Sequence, residues 1–528
     1  EMCIRDSSYG KFRFVAGINP RSFSWQLAPG EVFYTPEAVL NFSADGFRGL
    51  SGQLHSFIRE HIVRGVWKHK PRPVLLNSWE ACYFKIDEKK LLQLAKAGKN
   101  AGIELFVMDD GWFLGRNDDT SSLGDWEPDP KKLPGGIASL SKKIKELGMD
   151  FGIWVEPEMI SENSNLYKEH PDWAMKIPGH PHSEGRNQCI LDLCNPEVRK
   201  YVIEEMTRVF SSGEIRYVKW DMNRNFSDIY SPYLPAAKQG ETAHRYVLGL
   251  YHIMDELTTR FPEILFEGCS SGGNRFDLGI LNYFPQIWAS DNTDALCRTG
   301  IQNSYSYGYP LSVFTAHVSS CPNHQTLRIT PLETRFQVAS FGILGYECNL
   351  KDLSGSELNA IREQIALYKK WRDLFQFGTF YRGTENEDSD SETLSWTCVS
   401  PDGRRAVGLF FRRLTTPNQS HDWYRPAGLL PDVKYHFYGR NIKYNLKDFG
   451  DLVNTVSPVH IKQGSALQEI LSRFVNMDGE KEDLTAYGDT LMLAGIALKP
   501  AFAGTGYNSD TRLFPDFSSR MYFMEAVE

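Results

Sequence analysis

Aspartates stand at the ends of short apolar runs in the middle of the chain, and their spacing suits catalysis. Asp109 and Asp110 follow one run, Asp221 follows a second and Asp291 follows a third. Lys219 lies two residues before Asp221, so both side chains project from one face of a predicted strand, where an ammonium group favours the ionised carboxylate. Carboxylates gathered in this way suit glycosidic bond cleavage, in which one attacks and another, of raised pKa, protonates the leaving oxygen.

Several of these residues also have a simpler interpretation. Any single aspartate that follows a strand can be a helix N-cap, and Asp294 is expected to be a structural partner of its turn. Glu156 and Glu158 have the side chain of an acid or base, but Pro157 between them indicates a loop. Cys269 has the side chain of a nucleophile, yet its motif contains no base, which favours packing or a contact with a hydroxyl group.

The elements that must position these residues alternate between strand-like and helix-like runs. The predicted strands cover residues 74–79, 105–109, 151–155, 217–220, 264–267, 286–290, 311–317 and 339–344. The predicted helices cover residues 88–101, 137–147, 196–210, 243–260 and 356–374. This alternation predicts an α/β fold, a (β/α)8 TIM barrel with its functional residues at the strand ends. An open doubly wound sheet would carry a glycine-rich phosphate loop after its first strand, where this chain has Glu80, Ala81 and Cys82.

The sequence on either side of the barrel predicts two flanking domains. The three predicted domains are residues 1–65, 66–380 and 381–528. Runs with period two in the last domain, at residues 405–411, 433–437 and 491–498, predict an antiparallel β-sandwich. Predicted strands at residues 12–18 and 31–42, with a predicted helix at 46–64, indicate the remnant of an N-terminal β-sandwich domain and a linker helix, truncated at residue 1.

The composition narrows the range of partners and cofactors. A chain of 528 residues is too long for one hydrophobic core, and its 41% hydrophobic and 23% charged residues are ordinary for a globular protein. The formal net charge of −8 argues against nucleic acid or an anionic membrane as a partner. No apolar run reaches the roughly 18 residues that span a bilayer. Nine scattered cysteines without a CxxC pair predict no metal, no cofactor and a cytoplasmic setting.

Five motifs occur in order along the chain. They are FVMDDGW at residues 106–112, GIWVEPEM at 152–159, KWDMN at 219–223, CSSGGNR at 269–275 and WASDNTDA at 288–295. Together they resemble the signatures of the α-galactosidases of glycoside hydrolase family 36. The resemblance covers about residues 10–528, and it is specific because all five motifs keep a family-like order and spacing.

The resemblance implies a role for each of the site residues. Asp221 would be the nucleophile and Asp291 the acid/base of a retaining enzyme, with carboxyl groups about 5–5.5 Å apart. The residues implied to hold the terminal galactose are Trp79, Asp109, Asp110, Trp154, Arg186, Lys219, Asn223, Cys269 and Gly272. The two adjacent aspartates of this set would accept hydrogen bonds from neighbouring hydroxyls, including the axial one that distinguishes galactose from glucose. The indole of Trp154 would form an apolar wall.

The resemblance also implies a substrate class, an exo-acting α-galactosidase that hydrolyses melibiose- and raffinose-type α-galactosides. Two alternatives use the same strand-end residues: a galactosyl transferase of the raffinose-synthase type, and a galactose-binding fragment with little turnover. An N-acetylated galactose fits less well, because CSSG at residues 269–272 resembles the form of this loop that recognises a free 2-hydroxyl. Family members usually carry a large N-terminal β domain that mediates oligomers, so a homo-oligomer is a possible assembly.

Overall fold

The chain folds into two compact units. A computed structural model describes residues 2–5, 9–10, 13–183, 185–383, 391–416, 422–455, 457–479, 482–500 and 513–527. The first unit contains the described residues up to Thr293, together with Tyr307–Gln325 and Gly342–Lys370. The second unit contains Asp294–Ser306, Thr326–Phe341 and the described residues from Trp371 onward.

Eight parallel strands form a closed barrel in the first unit. In chain order they are β1 (Leu75–Asn77), β2 (Leu105–Met108), β3 (Asp150–Val155), β4 (Ile215–Trp220), β5 (Leu265–Gly268), β6 (Gln286–Trp288), β7 (Phe314–Ser319) and β8 (Ile343–Glu347). The last strand closes the barrel on the first, where Gly345 pairs with Leu75 and Tyr346 with Leu76. The predicted fold class, a TIM barrel followed by a C-terminal antiparallel β structure, is confirmed.

A helix follows each barrel strand along the chain. These helices are α1 (Glu88–Ala101), α2 (Gly136–Glu146), α3 (Pro196–Ser211), α4 (Thr242–Arg260), α5 (Leu278–Leu281), α6 (Ala295–Tyr305), α7 (Leu332–Ser340) and α8 (Gly355–Phe377). Several begin where the sequence supplies a cap: the Asp87 side chain accepts the Lys90 N–H at the start of α1, and Asn195 accepts the Glu197 N–H before Pro196 at the start of α3. Gly102 ends α1 in the left-handed conformation that glycine adopts without strain.

Apolar side chains fill the N-terminal end of the barrel. Trp67 packs there against Leu75, Leu105, Tyr217 and Leu265 from four different strands. Because this end is a packed core, polar groups and ligands belong at the other end of the barrel, where the strands terminate.

Two strands were predicted to begin several residues too early, because the sequence that precedes them is buried on all sides. The strand predicted at residues 311–317 begins at Phe314, after the 3₁₀-helix Leu311–Val313. The strand predicted at 339–344 begins at Ile343, since Ala339 still belongs to α7. Every residue from Thr334 to Ser340 in that helix is buried, so the hydrophobic pattern has no periodicity to mark where the helix ends.

The second unit contains a six-stranded antiparallel sheet. Its strands, in spatial order, are Thr379–Arg382, Thr393–Val399, Arg405–Arg412, Ser518–Ala526, Lys434–Gly439 and Asp483–Tyr487. A two-stranded sheet, Trp423–Tyr424 with Ile496–Ala497, supplies a second layer, and another pairs Lys443–Asn445 with Asn476–Asp478. The buried ring of Tyr424 lies 5.2 Å from the Tyr522 ring and 6.1 Å from the Phe437 ring of the large sheet. The apolar core of this unit therefore lies between the two layers.

One strand predicted in this unit was wrong. Residues 491–498 are not one strand, because helix Gly488–Leu493 comes first and a strand follows only at Ile496–Ala497. Gly495, with a φ of 78°, breaks the apolar run between them. A run of eight apolar residues does not by itself distinguish a short buried helix from a strand.

The N-terminal part contains less β structure than predicted. Met2–Arg5 pairs antiparallel with Arg13–Ala16, in agreement with the strand predicted at 12–18, of which Phe12 lies outside the described residues. The strand predicted at residues 31–42 is wrong: this segment has no helix or strand, and Pro36 within it has no N–H to donate. The predicted helix is present as Gly46–Phe57, which continues as the π-helix Ile58–Ile62.

The remaining short elements connect the main ones. The short α-helices are Trp79–Cys82, Asn165–Glu169, Ala466–Leu471 and Gly488–Leu493, and the further 3₁₀-helices are Val66–Lys68, Pro171–Trp173, Ala236–Glu241 and Leu446–Thr455. A two-stranded sheet pairs Met159–Ile160 with Cys189–Ile190. In the part of the chain that the structure describes, no helix combines the length and hydropathy needed to cross a membrane.

Candidate active site

The C-terminal ends of the barrel strands surround one pocket. Its lining residues are Trp79, Glu80, Asp109, Asp110, Trp154, Arg186, Lys219, Asp221, Asn223, Trp288, Asp291, Thr293, His324, Gln325 and Glu347. This list contains every residue predicted for the site except Cys269 and Gly272. Because each member lies in or after the C-terminal half of a strand, the barrel brings together residues that are up to 268 positions apart (347 − 79).

Asp221 is held by contacts to both of its carboxylate oxygens. It follows β4, where its own N–H donates to the Val155 carbonyl at 2.8 Å. Its Oδ1 accepts the N–H of Met222 at 2.9 Å, and its Oδ2 accepts the indole N–H of Trp154 at 3.1 Å. The side chain is 5% exposed, so a charge on it is weakly screened and its orientation is fixed. Trp154 is therefore a hydrogen-bond donor to the aspartate as well as an apolar wall.

Asp291 faces the same pocket from the segment after β6. Its Oδ1 accepts the indole N–H of Trp288 at 2.9 Å. Burial raises the pKa of Asp291, and the negative charge of Asp221 raises it further, whereas Lys219 and the Trp288 hydrogen bond act in the opposite direction. A carboxyl group that keeps its proton to higher pH next to a second carboxyl group is the arrangement that a general acid requires.

Lys219 and Asp109 form a buried ion pair on the pocket wall. The Lys219 Nζ lies 3.1 Å from the Asp109 Oδ2, which also accepts the amide of Asn77 at 2.7 Å. Burial alone would lower the pKa of Lys219, but the charges of Asp109 and of its other acidic neighbours raise it well above the ordinary value. The ammonium group thus remains charged and can donate to a hydroxyl of a ligand.

Asp110 is paired with a residue that the sequence analysis did not identify. The Arg116 guanidinium donates to Asp110 through Nε at 3.0 Å and through Nη2 at 2.8 Å, and both side chains are buried. Burial raises the pKa of Asp110, while Arg116 lowers it. Bidentate pairing fixes the plane of the Asp110 carboxylate and leaves further lone pairs on its oxygens to accept hydroxyl protons.

Arg186 lies at the mouth of the pocket on the segment between β3 and α3. Its φ is 52° and that of Asn187 is 55°, an uncommon conformation for residues other than glycine. Arg224 stabilises this segment by donating to the Gln188 carbonyl at 2.9 Å and to the Ser183 carbonyl at 2.7 Å. The Arg186 guanidinium is exposed, and the hydrogen bonds from Arg224 hold the segment that carries it.

Cys269 and Gly272 lie beside Asp221 and Asp291 instead of lining the pocket. Cys269 is buried, its N–H donates to the Trp220 carbonyl at 2.8 Å, and its thiol interacts with Asp221. Burial and the charge of Asp221 raise the pKa of this thiol well above its ordinary value, so Cys269 is not a thiolate nucleophile. Gly272 has a φ of 84°, and a Cβ there would lie 2.8 Å from the Cα of Ser290.

The sequence analysis missed the acidic and imidazole groups on the β1, β7 and β8 side of the pocket. His317 Nδ1 lies 2.9 Å from Glu347 Oε2, and His324 Nδ1 lies 3.1 Å from Glu80 Oε1. The rule that strand ends carry the functional residues could have identified Glu347, but the strand predicted at 339–344 ended three residues too early. No sequence pattern marked His324.

Glu156 and Glu158 are buried, and neither lines the pocket. Glu158 accepts hydrogen bonds from Arg275, at 2.7 and 2.9 Å, and from the Trp220 indole at 2.8 Å. It is thus part of an ion-pair network below the pocket. Asp294 accepts the N–H groups of Leu296 and Cys297 at the start of α6, which confirms its structural role at this turn.

One group of potential metal ligands occurs among the described residues, outside the pocket. Ligand atoms of Glu162, His182 and Cys189 lie within 4.8 Å of one another. His182 and Glu162 form an ion pair with an N–O distance of 2.9 Å. Burial, with a contribution from Glu162, raises the pKa of the Cys189 thiol to about 11. The group shares no residue with the pocket.

A closed parallel barrel with paired carboxylates, a buried lysine and indoles at its strand ends defines a TIM-barrel protein with the site chemistry of a glycosidase. Two family profiles match the chain: Melibiase over residues 32–378, and the glycosyl hydrolase family 36 C-terminal domain over residues 393–524. The chain therefore belongs to glycoside hydrolase family 36, the family of the melibiases, as the sequence motifs indicated.

Two bacterial α-galactosidases are similar in sequence to most of this chain. The α-galactosidase AgaA of Geobacillus stearothermophilus is 47% identical over 439 residues, which are 83% of this chain and 60% of AgaA. The α-galactosidase Mel36A of Lactobacillus acidophilus is 46% identical over 432 residues, which are 82% of this chain and 59% of Mel36A. The chain thus spans about 60% of the length of these curated relatives.

Solved structures show the same fold. The crystal structure of AgaA superposes with a TM-score of 0.86 at 42% identity, covering 99% of this chain and 65% of that one. The α-galactosidase from Lactobacillus brevis superposes with a TM-score of 0.87 at 40% identity, covering 99% of this chain and 64% of that one. A further structure is that of an AgaA variant in complex with raffinose.

Proposed function

We propose that this chain is a retaining, exo-acting α-galactosidase that hydrolyses terminal α-D-galactosyl residues of melibiose- and raffinose-type substrates. The observation that carries the proposal is the pair Asp221 and Asp291, which line one pocket in different surroundings. Asp221 is hydrogen-bonded through both oxygens, whereas burial and the neighbouring charge raise the pKa of Asp291. Relatives named as α-galactosidases, one of them crystallised with raffinose as a variant, support the substrate class.

The reaction proceeds in two displacements. In the first, an Asp221 oxygen forms a bond to the anomeric carbon while the bond to the leaving oxygen breaks, and Asp291 gives its proton to that oxygen. In the second, the ionised Asp291 takes a proton from water, which attacks the anomeric carbon and releases Asp221. Two inversions restore the α configuration. The predicted separation of the two carboxyl groups, about 5–5.5 Å as in retaining enzymes, stays a prediction.

The other lining residues bind the galactosyl group in this proposal. Asp109 and Asp110 accept hydrogen bonds from adjacent hydroxyls, and Lys219 donates to one of them. The aromatic rings of Trp79 and Trp154 pack against the sugar. Asn223 and Arg186 contribute further polar contacts, while Cys269 and Gly272 shape the backbone next to the two aspartates.

Three further expectations accompany the proposal. The domain boundaries at residues 65 and 380 remain proposed. The free thiols of Cys189, Cys194 and Cys269 are compatible with the expected cytoplasmic setting. We also retain the expectation of a homo-oligomer.

Hydrolysis of p-nitrophenyl α-galactoside by the chain and by Asp221→Ala tests the proposal. We expect turnover by the wild type and a loss of at least about 10³-fold in the variant, because the nucleophile is absent. Asp255→Ala, which removes an exposed aspartate on α4, is the matched control and should retain activity. A folded wild type without turnover, or an Asp221→Ala variant as active as the wild type, would contradict the proposal.

Asp291→Ala provides the stereochemical part of the test. Without the acid/base the variant should accumulate the β-linked galactosyl intermediate, and added azide should attack it with a second inversion to give α-galactosyl azide. Formation of the β-azide would contradict the retaining mechanism. Product analysis with raffinose in water separates hydrolysis from transfer to a sugar acceptor.

A further inference from the structure

Under the proposed function, the leaving group must lie on the Asp291 side of the pocket. Asp291 protonates the leaving oxygen, so that oxygen and the group attached to it are within hydrogen-bond reach of its carboxyl group. The lining residues on this side are Thr293, two positions further along the chain, and His324 and Gln325 on the segment after β7. Asp291 and His324 line the same pocket, and the charge of Asp291 raises the pKa of His324.

Glu80 organises this side of the pocket from within. Its side chain is 2% exposed, and its Oε1 lies 3.1 Å from His324 Nδ1 and 3.2 Å from the hydroxyl of Thr293. Its Oε2 accepts the N–H of Ser320 at 3.2 Å. The buried carboxylate of Glu80, which follows β1, therefore holds the segments after β6 and β7 in place. Such a multiply bonded group gives the pocket wall a defined geometry.

His324 lines the pocket with one ring nitrogen bonded to Glu80 and the other available. Its Nδ1 is directed at Glu80, and its side chain is 35% exposed, so Nε2 is the nitrogen that can reach a ligand. The hydrogen bond to Glu80 raises the pKa of His324, burial opposes this, and the charges of Glu80, Glu347 and Asp291 raise it further. An imidazole whose other nitrogen is bonded to a carboxylate is placed to donate a hydrogen bond to a ligand.

The chemistry of these groups selects the kind of leaving group. The exposed tips on this side are an imidazole N–H and the amide of Gln325, which can donate and accept. Groups of this kind recognise hydroxyls, and an apolar leaving group would leave them without partners. A second sugar ring, attached to galactose through the leaving oxygen, supplies such hydroxyls.

We propose that His324 and Gln325 bind the leaving-group sugar of an α-galactoside, and that Glu80 acts as the positioning residue that fixes His324. His324 donates through Nε2 to a hydroxyl of the leaving sugar, and the Gln325 amide contacts a neighbouring hydroxyl. The inference rests on the proposed function, because it places the leaving sugar next to the acid Asp291.

The binding of galactose and of melibiose to catalytically inactive protein tests this proposal without requiring turnover. In Asp221→Asn, titration calorimetry should give a lower dissociation constant for melibiose than for galactose. In Asp221→Asn/His324→Ala, the advantage of melibiose should fall by about 10-fold, the effect expected for one hydrogen bond from a charged donor. An unchanged advantage in the double variant would overturn the inference. If neither sugar binds to the folded single variant, the proposed function fails together with the inference.

Kinetics with two leaving groups supply the second measurement. For His324→Ala, the ratio of kcat/KM for melibiose to that for p-nitrophenyl α-galactoside should fall by about 10-fold relative to the wild type. Glu80→Gln should lower the same ratio and weaken its dependence on pH, because the amide no longer favours the charged imidazole. His69→Ala, which removes an exposed histidine that does not line the pocket, is the matched control and should leave the ratio unchanged. Equal losses for both substrates would indicate a merely structural role and overturn the inference.

Discussion

Glu156 is a buried carboxyl group directly beside the pocket residues Asp221 and Asn223. Its Oε1 accepts the N–H of Asn223 at 2.5 Å, and its Oε2 accepts the amide of Gln188 at 3.3 Å. Burial raises its pKa from the ordinary 4.5 to about 8, and the charge of Asp221 adds to this effect. The hydrogen bond from Asn223 and the charge of Arg116 act in the opposite direction, whereas Asp110 also raises the pKa.

Replacement of Glu156 by glutamine should change how stability depends on pH. Because the pKa in the folded state is raised, the folded wild type binds more protons than the unfolded chain between about pH 4.5 and pH 8. The free energy of unfolding of the wild type should therefore fall relative to that of Glu156→Gln as the pH rises through this window, by up to about 1.4 kcal/mol per pH unit. Urea unfolding of both proteins from pH 5 to pH 8 measures the difference.

Glu158→Gln is the matched control for this prediction. Glu158 is the ionic partner of Arg275, so its replacement should destabilise the protein by leaving that guanidinium without its carboxylate. In Glu156→Gln, by contrast, the side-chain oxygen can still accept the Asn223 N–H. If the Gln188 amide rotates, its Oε1, which is buried without a partner, can accept a hydrogen bond from the amide introduced at position 156. Parallel curves for the wild type and Glu156→Gln across the whole pH range would contradict the prediction.

The residues of the site that the hydrophobic pattern alone revealed are those that directly end a strand. Asp109, Lys219 and Asp221 follow from an apolar run and its terminal polar residue, because that pattern fixes which end of the barrel they occupy. Arg116 and His324 lie on the long segments after β2 and β7. Their approach to the pocket depends on how those segments fold back, and local sequence does not encode this.

At the scale of elements, helix α3 begins at a cap that can be tested alone. The Asn195 side chain accepts the Glu197 N–H at 2.9 Å, and Pro196 occupies the first helical position. Asn195→Ala leaves that N–H without a partner in the protein and should lower the free energy of unfolding by about 1 kcal/mol. The midpoint of urea unfolding measures the change.

Asn195→Asp is the control for the cap. Its carboxylate oxygen can accept the same N–H and lies at the positive end of the helix dipole, so the stability of this variant should equal or exceed that of the wild type. Equal losses in both variants would assign the effect to packing at residue 195 instead of to the hydrogen bond.

The elements that the sequence predicted well are those whose apolar face and end signals agree. Helix α1 was predicted with its observed bounds because Asp87 precedes it and Gly102 follows it. The segment at residues 31–42 has the apolar and aromatic runs that favour a strand, yet no strand forms there, because such runs do not show whether a partner strand is available. Whether a strand finds a partner depends on the whole fold, and the sequence of one segment does not show it.

At the scale of the whole chain, residues 32–42 are a stretch of apolar side chains without secondary structure. Tyr34 is 81% exposed and Phe42 is 83% exposed, and Val32 and Leu40 are also exposed. The backbone here makes no ladder that would have to open before a protease could bind it. The segment belongs to the melibiase match that begins at residue 32, and the chain covers about 60% of the length of its curated relatives.

Chymotrypsin should cut first in this segment. We expect cleavage after Tyr34 and after Phe42 before any cleavage within the barrel strands or helices α1 to α4, because those elements must unfold to be cut. Mass spectrometry of the earliest fragments identifies the sites. Tyr34→Ser and Phe42→Ser should each remove one of these cuts, and early cleavage inside the barrel would contradict the prediction.

The pairing of β8 with β1 closes the barrel between residues that are far apart in the chain. Trp79 and Glu80 follow the first strand and Glu347 ends the last, so the pocket is complete only after this pairing has formed. A sugar that contacts both edges binds the closed barrel and not the open chain, and it removes bound molecules from the population that cellular proteases degrade. Under the proposed function, the lifetime of the protein in a cell should therefore increase with the supply of α-galactosides, so that its abundance adjusts to demand without any change in gene expression.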